Sequence, residues 1–115
     1  MAEAGTFSSI LDPGIDYVFQ GEFFNEDGST IDLSTMTFIY TLRRNLDNVI
    51  VWNITNADFI RPTVSQIQFT KTSTEIRAMQ QGNYTASLLV SGTGFIDGAN
   101  RTFDNDEWLT GNAQR

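Results

Sequence analysis

The sequence contains no cysteine and no histidine, and these two absences exclude several common kinds of catalytic and metal-binding site. Without cysteine the chain can form neither disulfides nor thiolate metal sites. Without histidine it lacks the usual general base near neutral pH and the commonest metal ligand. Serine and threonine hydroxyls therefore have no imidazole to activate them, and Lys71 is the only lysine. We expect no enzymatic activity, no catalytic residues, no cofactor and no bound metal.

Basic residues and long apolar runs are also scarce. Lys and Arg number 7 against 14 Asp and Glu, which gives a formal net charge of −7. A nucleic-acid-binding protein needs a basic face, which this composition does not supply. No apolar run approaches the roughly 20 residues that span a bilayer, and residues 1–6 lack the features of a secretory signal. We expect a soluble chain made in a cytoplasm, with no nucleic-acid or membrane partner.

Apolar residues are nevertheless plentiful enough for a core. Hydrophobic residues make up 40% and aromatic residues 12% of the 115 positions, with nine Phe. Burial of such side chains can offset the entropy lost on ordering the chain. The length is that of one ordinary domain. We expect a single domain, residues 1–115.

Alternation of apolar and polar residues predicts strands. A period of two with aromatic and β-branched enrichment is typical of strands that are buried on one face. The predicted strands are residues 17–24, 36–44, 48–54, 65–70 and 84–90. The predicted core comprises Phe19, Phe38, Tyr40, Trp52, Phe69 and Leu88. The spacing of these strands predicts an all-β fold, an antiparallel immunoglobulin-like sandwich of about seven strands.

Turn residues and one helical signal divide the strands. Residues 25–28 (NEDG) predict a turn after the first strand, and residues 45–48 (NLDN) can close a hairpin. The reversal after residue 90 lies either at 91–94 (SGTG) or at 97–98 (DG). Residues 72–75 (TSTE) have capping-box spacing and predict a short helical crossover near residues 73–80. Gly82 and then Tyr84 follow, a pattern found in the tyrosine corner of such sandwiches.

These segments carry a resemblance to a known family. Residues 17–44, YVFQGEFFNEDGSTIDLSTMTFIYTLRR, and residues 82–88, GNYTASL, resemble segments of small immunoglobulin-like virion proteins of tailed bacteriophages. The likeness covers roughly residues 15–90. It implies a structural role in a phage head, tail or baseplate. After Val90 the chain departs from that pattern with a Gly- and Asp-rich segment, which leaves the position of the last strand open.

The densest acidic group has two interpretations. Asp104, Asp106 and Glu107, together with Asp97, offer oxygen ligands of the kind that Ca²⁺ prefers. Their spacing does not follow the EF-hand pattern. Two carboxylates also suit glycoside hydrolysis, although a chain of this size suggests no substrate cleft. We interpret the group as a solvated acidic loop and expect no metal site.

The ends of the chain carry the apolar groups that the strand pattern leaves out. We expect a sandwich over residues 15–104, flanked by an N-terminal arm (1–14) and a C-terminal arm (105–115). Trp108 lies in a polar setting, where it either folds back on the sandwich or anchors in a neighbour. The hypothetical partner interface consists of Phe7, Ile10, Leu11, Trp108 and Leu109.

Together these observations predict a non-enzymatic virion protein, located in the phage particle. Its partners would be other phage virion proteins, either the major capsid protein or tail and baseplate proteins, with homo-oligomerisation as a further option. Capsid decoration, also called a cement role, is favoured because tail modules are often fused to further domains. A tail or baseplate accessory module is the alternative. A carbohydrate-binding module is the alternative of another class, and it would need aromatic side chains along an exposed sheet face.

Overall fold

The computed structural model describes the backbone of residues 5–115 and the side chains of residues 8–115. The described residues form seven strands in two sheets, one short 3-10 helix and one short α-helix. The strands are β1 (Gly5–Ile10), β2 (Tyr17–Glu22), β3 (Met36–Arg44), β4 (Ile50–Ile54), β5 (Gln66–Lys71), β6 (Asn83–Ile96) and β7 (Ala99–Gln114). The 3-10 helix is Asn56–Asp58 and the α-helix, α1, is Ser73–Arg77. This architecture confirms the predicted all-β sandwich fold.

The larger sheet has the strand order β1-β7-β6-β3-β4, and β2 pairs with β5 in the smaller sheet. Neighbouring strands are antiparallel except β1, which runs parallel to β7. The smaller sheet covers β3 and β4, where the Phe69 ring centroid lies 4.8 Å from that of Tyr40 and 6.2 Å from that of Trp52. The apolar faces of the two sheets therefore meet in a single aromatic core.

The core follows the alternation in the sequence. Along β3 the inward residues are buried and the others are exposed or half-buried, as a period of two requires. The six predicted core residues are all buried: Phe19, Phe38, Tyr40, Trp52, Phe69 and Leu88. A strict period of two would place Ile50 on the same face as Trp52 and Ile54, and this alternation fails at Ile50. Ile50 is exposed although Trp52 and Ile54 are buried, because a register shift between Leu42 and Arg43 bends the β3–β4 pair.

The helical crossover is confirmed. The Thr72 hydroxyl accepts the Glu75 amide at 3.2 Å, and the Glu75 carboxylate accepts the Thr72 amide at 3.2 Å. This reciprocal capping box starts α1 where the sequence predicts it. The Tyr84 hydroxyl donates to the Gln80 carbonyl oxygen, so the predicted tyrosine corner is also present. Among the described residues no helix is both long and apolar enough to cross a membrane.

The last reversal lies at Asp97-Gly98, which joins β6 to β7. Asp97 has φ 50° and Gly98 has φ 80°, the left-handed conformations that a tight hairpin turn needs. The alternative at residues 91–94 is not a turn. Gly92 instead sits at a register shift inside the β6–β7 pair, with φ 111°.

The two predicted arms are wrong for the described residues. Residues 105–114 belong to β7, which pairs with β6 as far as Gln114 opposite Asn83. Their inward positions near the end are Gly111 and Ala113, and such small residues give little apolar alternation to read in the sequence. Residues 5–10 form β1 at the edge of the same sheet. The sandwich therefore extends well beyond residues 15–104, and residues 1–4 lie outside the described chain.

Candidate functional site

The N-terminal part of the predicted interface is mostly committed to the fold. Leu11 is 1% exposed and belongs to the core, and its amide donates to the Gln114 carbonyl oxygen at 2.7 Å. Ile10 is 79% exposed. The side chain of Phe7 lies outside the described residues. Leu11 therefore cannot be the spare apolar anchor that the sequence suggests, whereas Ile10 remains available.

Trp108 folds back onto the sandwich. Its ring stacks on Phe23 with centroids 4.6 Å apart and lies 5.7 Å from Phe103 and 6.1 Å from Phe38. A register shift between Leu88 and Leu89 in the β6–β7 pair leaves Trp108 without an opposite residue, which allows its ring to turn inward. Leu109 also packs against the core. Trp108 therefore follows the first of the two alternatives that the sequence left open, and a role of Trp108 and Leu109 in a partner interface stays a prediction.

The apolar side chains that do remain exposed gather largely at two opposite ends of the sandwich. We call the hairpin end the region around the β6–β7 turn and the β2–β3 connection. We call the helix end the region around α1, the β3–β4 turn and the end of β7. The register places these regions apart, because Arg44 lies opposite Tyr84 at the start of β6 while Ile96 ends that strand.

The hairpin end is held by hydrogen bonds between two turns. The Asp97 amide donates to the Asn25 Oδ1 at 2.9 Å, and the Asp97 Oδ1 accepts the Glu26 amide at 2.9 Å. Within the β2–β3 connection, Asp27 accepts both the amide and the hydroxyl of Ser29. The two turns are therefore joined into one platform although they are far apart in sequence.

Two phenylalanine side chains stand on this platform. Phe24 is 53% exposed and lines a cavity of about 100 Å³ with Trp108 beneath it. Phe95 is 62% exposed and lines a second concavity, of about 470 Å³. Glu26 and Asp97 line both spaces, so the two phenyl rings flank the same pair of turns. Exposed aromatic rings on a rigid frame are typical of protein-binding surfaces.

The hairpin end is acidic. It carries the carboxylates of Glu26, Asp27 and Asp97 beside the guanidinium of Arg101, while the Arg61 guanidinium donates to the Leu33 carbonyl oxygen near the end of the β2–β3 connection. The Ser29 hydroxyl and amide hold the pKa of Asp27 below its ordinary value. Asp27 therefore stays ionised at any physiological pH. This end presents negative charge next to apolar surface.

The helix end combines apolar and cationic side chains. Leu46 is 80% exposed at the β3–β4 turn, with the exposed Val49 and Ile50 beside it. A concavity of about 420 Å³ there is lined by Arg44 and Lys71, among others. Both cations are paired, Arg44 with Asp47 at 2.6 Å and Lys71 with Glu75 at 3.2 Å. The remaining cations of this end are Arg43, Arg77 and Arg115.

The outer face of the larger sheet has few groups suited to catalysis or ligand binding. Its largest concavity, of about 720 Å³, is lined by amide, hydroxyl and aliphatic groups. Those residues are Ser8, Ser9, Ile10, Asn45, Asn83, Asn112, Ala113 and Gln114. Among the side chains described at this concavity none is ionisable and none is aromatic. The stacked aromatic platform that glycan binding would need does not occur there, since the aromatic side chains of β3 and β4 point into the core.

The acidic group of the sequence is dispersed. Asp97 binds the Glu26 amide at the hairpin end, whereas the Glu107 carboxylate accepts the Ser87 hydroxyl at 3.0 Å on the outer sheet face. Within residues 8–115 no group of three or more acidic side chains lies close enough to hold a metal ion.

The sequence contained a signal for the hairpin end that the strand pattern obscured. Phe24 and Phe95 each lie one position out of phase with a buried neighbour, Phe23 and Ile96 respectively. Each also stands within two residues of a turn. An out-of-phase aromatic residue beside a turn is therefore a sequence signal for exposed apolar surface.

The chain has no match in the two comparisons made by sequence: no protein-family model fits it, and no curated protein is significantly similar to it.

Proposed function

We propose that this chain is a non-enzymatic structural protein of a tailed-bacteriophage particle, where it decorates the capsid by binding major capsid subunits. The observation that carries the proposal is the hairpin end, where Phe24 and Phe95 are exposed on cross-linked turns. Such a surface can bind a protein without further ordering of the chain, which keeps the entropic cost of association low.

The likeness to phage virion proteins supports this proposal through particular residues. In the segment that resembles those proteins, Ile31 and Leu33 are buried and anchor the β2–β3 connection. Asp32 accepts the Ser34 amide at 2.9 Å and turns the chain into β3. The quoted segment is thus the one that positions Phe24 and Glu26. A tail or baseplate accessory module would use the same surface and is the second candidate.

Add-back to defective particles tests the proposal. Particles of the encoding phage would be produced without this gene, mixed with the purified chain and sedimented. We expect saturable co-sedimentation, because a decoration protein occupies a fixed number of equivalent sites. Purified capsid shells and purified tails, tested separately, distinguish decoration from a tail role. Failure of the folded chain to bind either fraction would refute the proposal.

A further inference from the structure

We propose that copies of this chain associate end to end, with the hairpin end of one copy against the helix end of the next. This inference goes beyond the particle role and stands whether or not the larger assembly is a phage. It uses the same hairpin end as the proposed function, so one hairpin end binds either a capsid subunit or a neighbouring copy. It rests on the distribution of charge, on the exposed apolar side chains of both ends and on the area that the ends offer.

The charge of the chain is divided unevenly along the strands. The helix end holds five of the seven cations, which are Arg43, Arg44, Lys71, Arg77 and Arg115. It holds four of the described carboxylates, which are Asp12, Asp16, Asp47 and Glu75. The rest of the described chain has two cations, Arg61 and Arg101, against nine carboxylates. The helix end is therefore net +1 and the remainder net −7.

This division restricts how two copies can meet. Contact between two hairpin ends would bring Glu26, Asp27 and Asp97 of both copies together, and like charges in close contact oppose binding. Contact of a hairpin end with a helix end places those carboxylates near a region without net negative charge. There Arg43 is exposed and has no ion-pair partner among the described residues. Charge thus favours the head-to-tail arrangement over the symmetric one.

Apolar surface is available on both sides of the contact. The hairpin end contributes Phe24 and Phe95, and the helix end contributes Leu46 with Val49 and Ile50. Within the described part of one copy these rings and aliphatic chains are between 45% and 80% exposed. Their burial against each other would supply the favourable free energy that charge alone does not.

The available area predicts a weak contact. The molecule measures 43 × 27 × 24 Å, and the long dimension suits the β6–β7 hairpin with its 14- and 16-residue strands. An end outline of 27 × 24 Å covers roughly 500 Å² per copy, or roughly 1,000 Å² in total, the lower limit for specific interfaces. We expect dissociation constants in the micromolar to millimolar range.

A head-to-tail contact has a distinctive consequence for variants. When one end of a copy is altered, its other end can still bind. A copy altered at the hairpin end can therefore form one contact with a copy altered at the helix end. The hairpin-end variant is Phe24→Ser with Phe95→Ser, and the helix-end variant is Arg43→Glu with Leu46→Glu. Ile60→Ser is the matched control, because Ile60 is 58% exposed beside β5, away from both ends. Circular dichroism and thermal melting would establish that each variant is folded.

Sedimentation equilibrium of the purified chain provides the test. The weight-average mass of the wild type and of Ile60→Ser should rise with concentration beyond that of a dimer. Each end variant alone should associate at least tenfold more weakly, and an equimolar mixture of the two should form dimers and nothing larger. If the hairpin-end variant does not fold, Glu26→Gln with Asp97→Asn replaces it and should also weaken association.

Three results would overturn the inference. The wild type could stay monomeric up to about 1 mM, beyond the affinity that this area predicts. One of the two end variants could associate by itself as strongly as the wild type, which would indicate a symmetric contact through its unaltered end. The hairpin-end variant could associate normally but lose binding to particles, which would assign that end to a different protein. Absence of particle binding by a wild type that does associate would refute the proposed function alone.

Discussion

Asn25 and Asp97 join two turns that lie 72 positions apart in the chain. The Asp97 amide donates to the Asn25 side chain, while the Asp97 carboxylate accepts the Glu26 amide. Asp97 also has the left-handed conformation, with φ 50°, that starts the β6–β7 turn. One residue therefore shapes the hairpin and fastens it to the β2–β3 connection.

Replacement of Asp97 tests this connection. Asp97→Ala should lower the free energy of unfolding by about 2 kcal/mol, because it removes a charge-assisted hydrogen bond and replaces a residue that tolerates the left-handed conformation with one that rarely adopts it. Asp97→Asn keeps an acceptor and tolerates the left-handed region, so it should cost less than half as much. Urea denaturation of both variants measures the difference. Equal stabilities for the two would show that the hydrogen bond to Glu26 contributes nothing.

Trp108 should act as a core residue. Trp108→Ala removes the ring that stacks on Phe23 and Phe103, and we expect a loss of about 3 kcal/mol in unfolding free energy. Trp108→Phe retains the stack and should cost roughly 1 kcal/mol. Thermal or urea denaturation provides the measurement. A Trp108→Ala protein as stable as the wild type would show that the ring lies free of the core.

Much of this fold can be predicted from the sequence, for a physical reason. Strands such as β3 have large apolar residues on one face and polar residues on the other, so the period of two is visible. The capping box at Thr72 and Glu75 depends on local spacing alone. Local patterns of this kind need no knowledge of the tertiary structure.

Strands β1 and β7 and the site could not be predicted in the same way. The inward positions of β7 near its end are Gly111 and Ala113, which carry little hydrophobic signal. Strand β1 pairs parallel with β7, at the far end of the chain, and no local pattern encodes that partner. Trp108 turns inward at an irregularity of the β6–β7 register. The hairpin end depends on the tertiary contact between Asn25 and Asp97, which no local pattern encodes.

The two glycines with positive φ in β6 and its turn should respond differently to substitution. A Cβ at Gly92 would lie 2.5 Å from the Thr35 carbonyl oxygen, with φ 111°. A Cβ at Gly98, with φ 80°, would meet nothing within 4 Å. Gly98→Ala should cost about 1 kcal/mol from backbone strain, and Gly92→Ala about 3 kcal/mol or more, since the backbone must also move. Urea denaturation of the two variants measures both losses of stability. A larger loss for Gly98→Ala than for Gly92→Ala would contradict the close contact between Thr35 and β6.

The cap of α1 should make stability depend on pH. The Thr72 amide, and then Lys71, hold the pKa of Glu75 below its ordinary value of 4.5. A carboxyl with a lowered pKa in the folded state stabilises the fold above the pKa of the unfolded chain, and this stabilisation is lost as the pH falls. Between about pH 5 and pH 3 the melting temperature of Glu75→Gln should therefore fall less than that of the wild type. If the melting temperatures of the two proteins fell equally over this pH range, the carboxylate would not stabilise the cap.

The central claim is that the chain is a resident structural component of a phage particle. Quantitative mass spectrometry of particles purified from the encoding phage tests it most directly. We predict that the chain is present in every preparation at a fixed ratio to the major capsid protein, on the order of hundreds of copies per particle for capsid decoration. About six or twelve copies would assign it to the tail instead. Absence of the chain from particles that are otherwise complete would contradict the account.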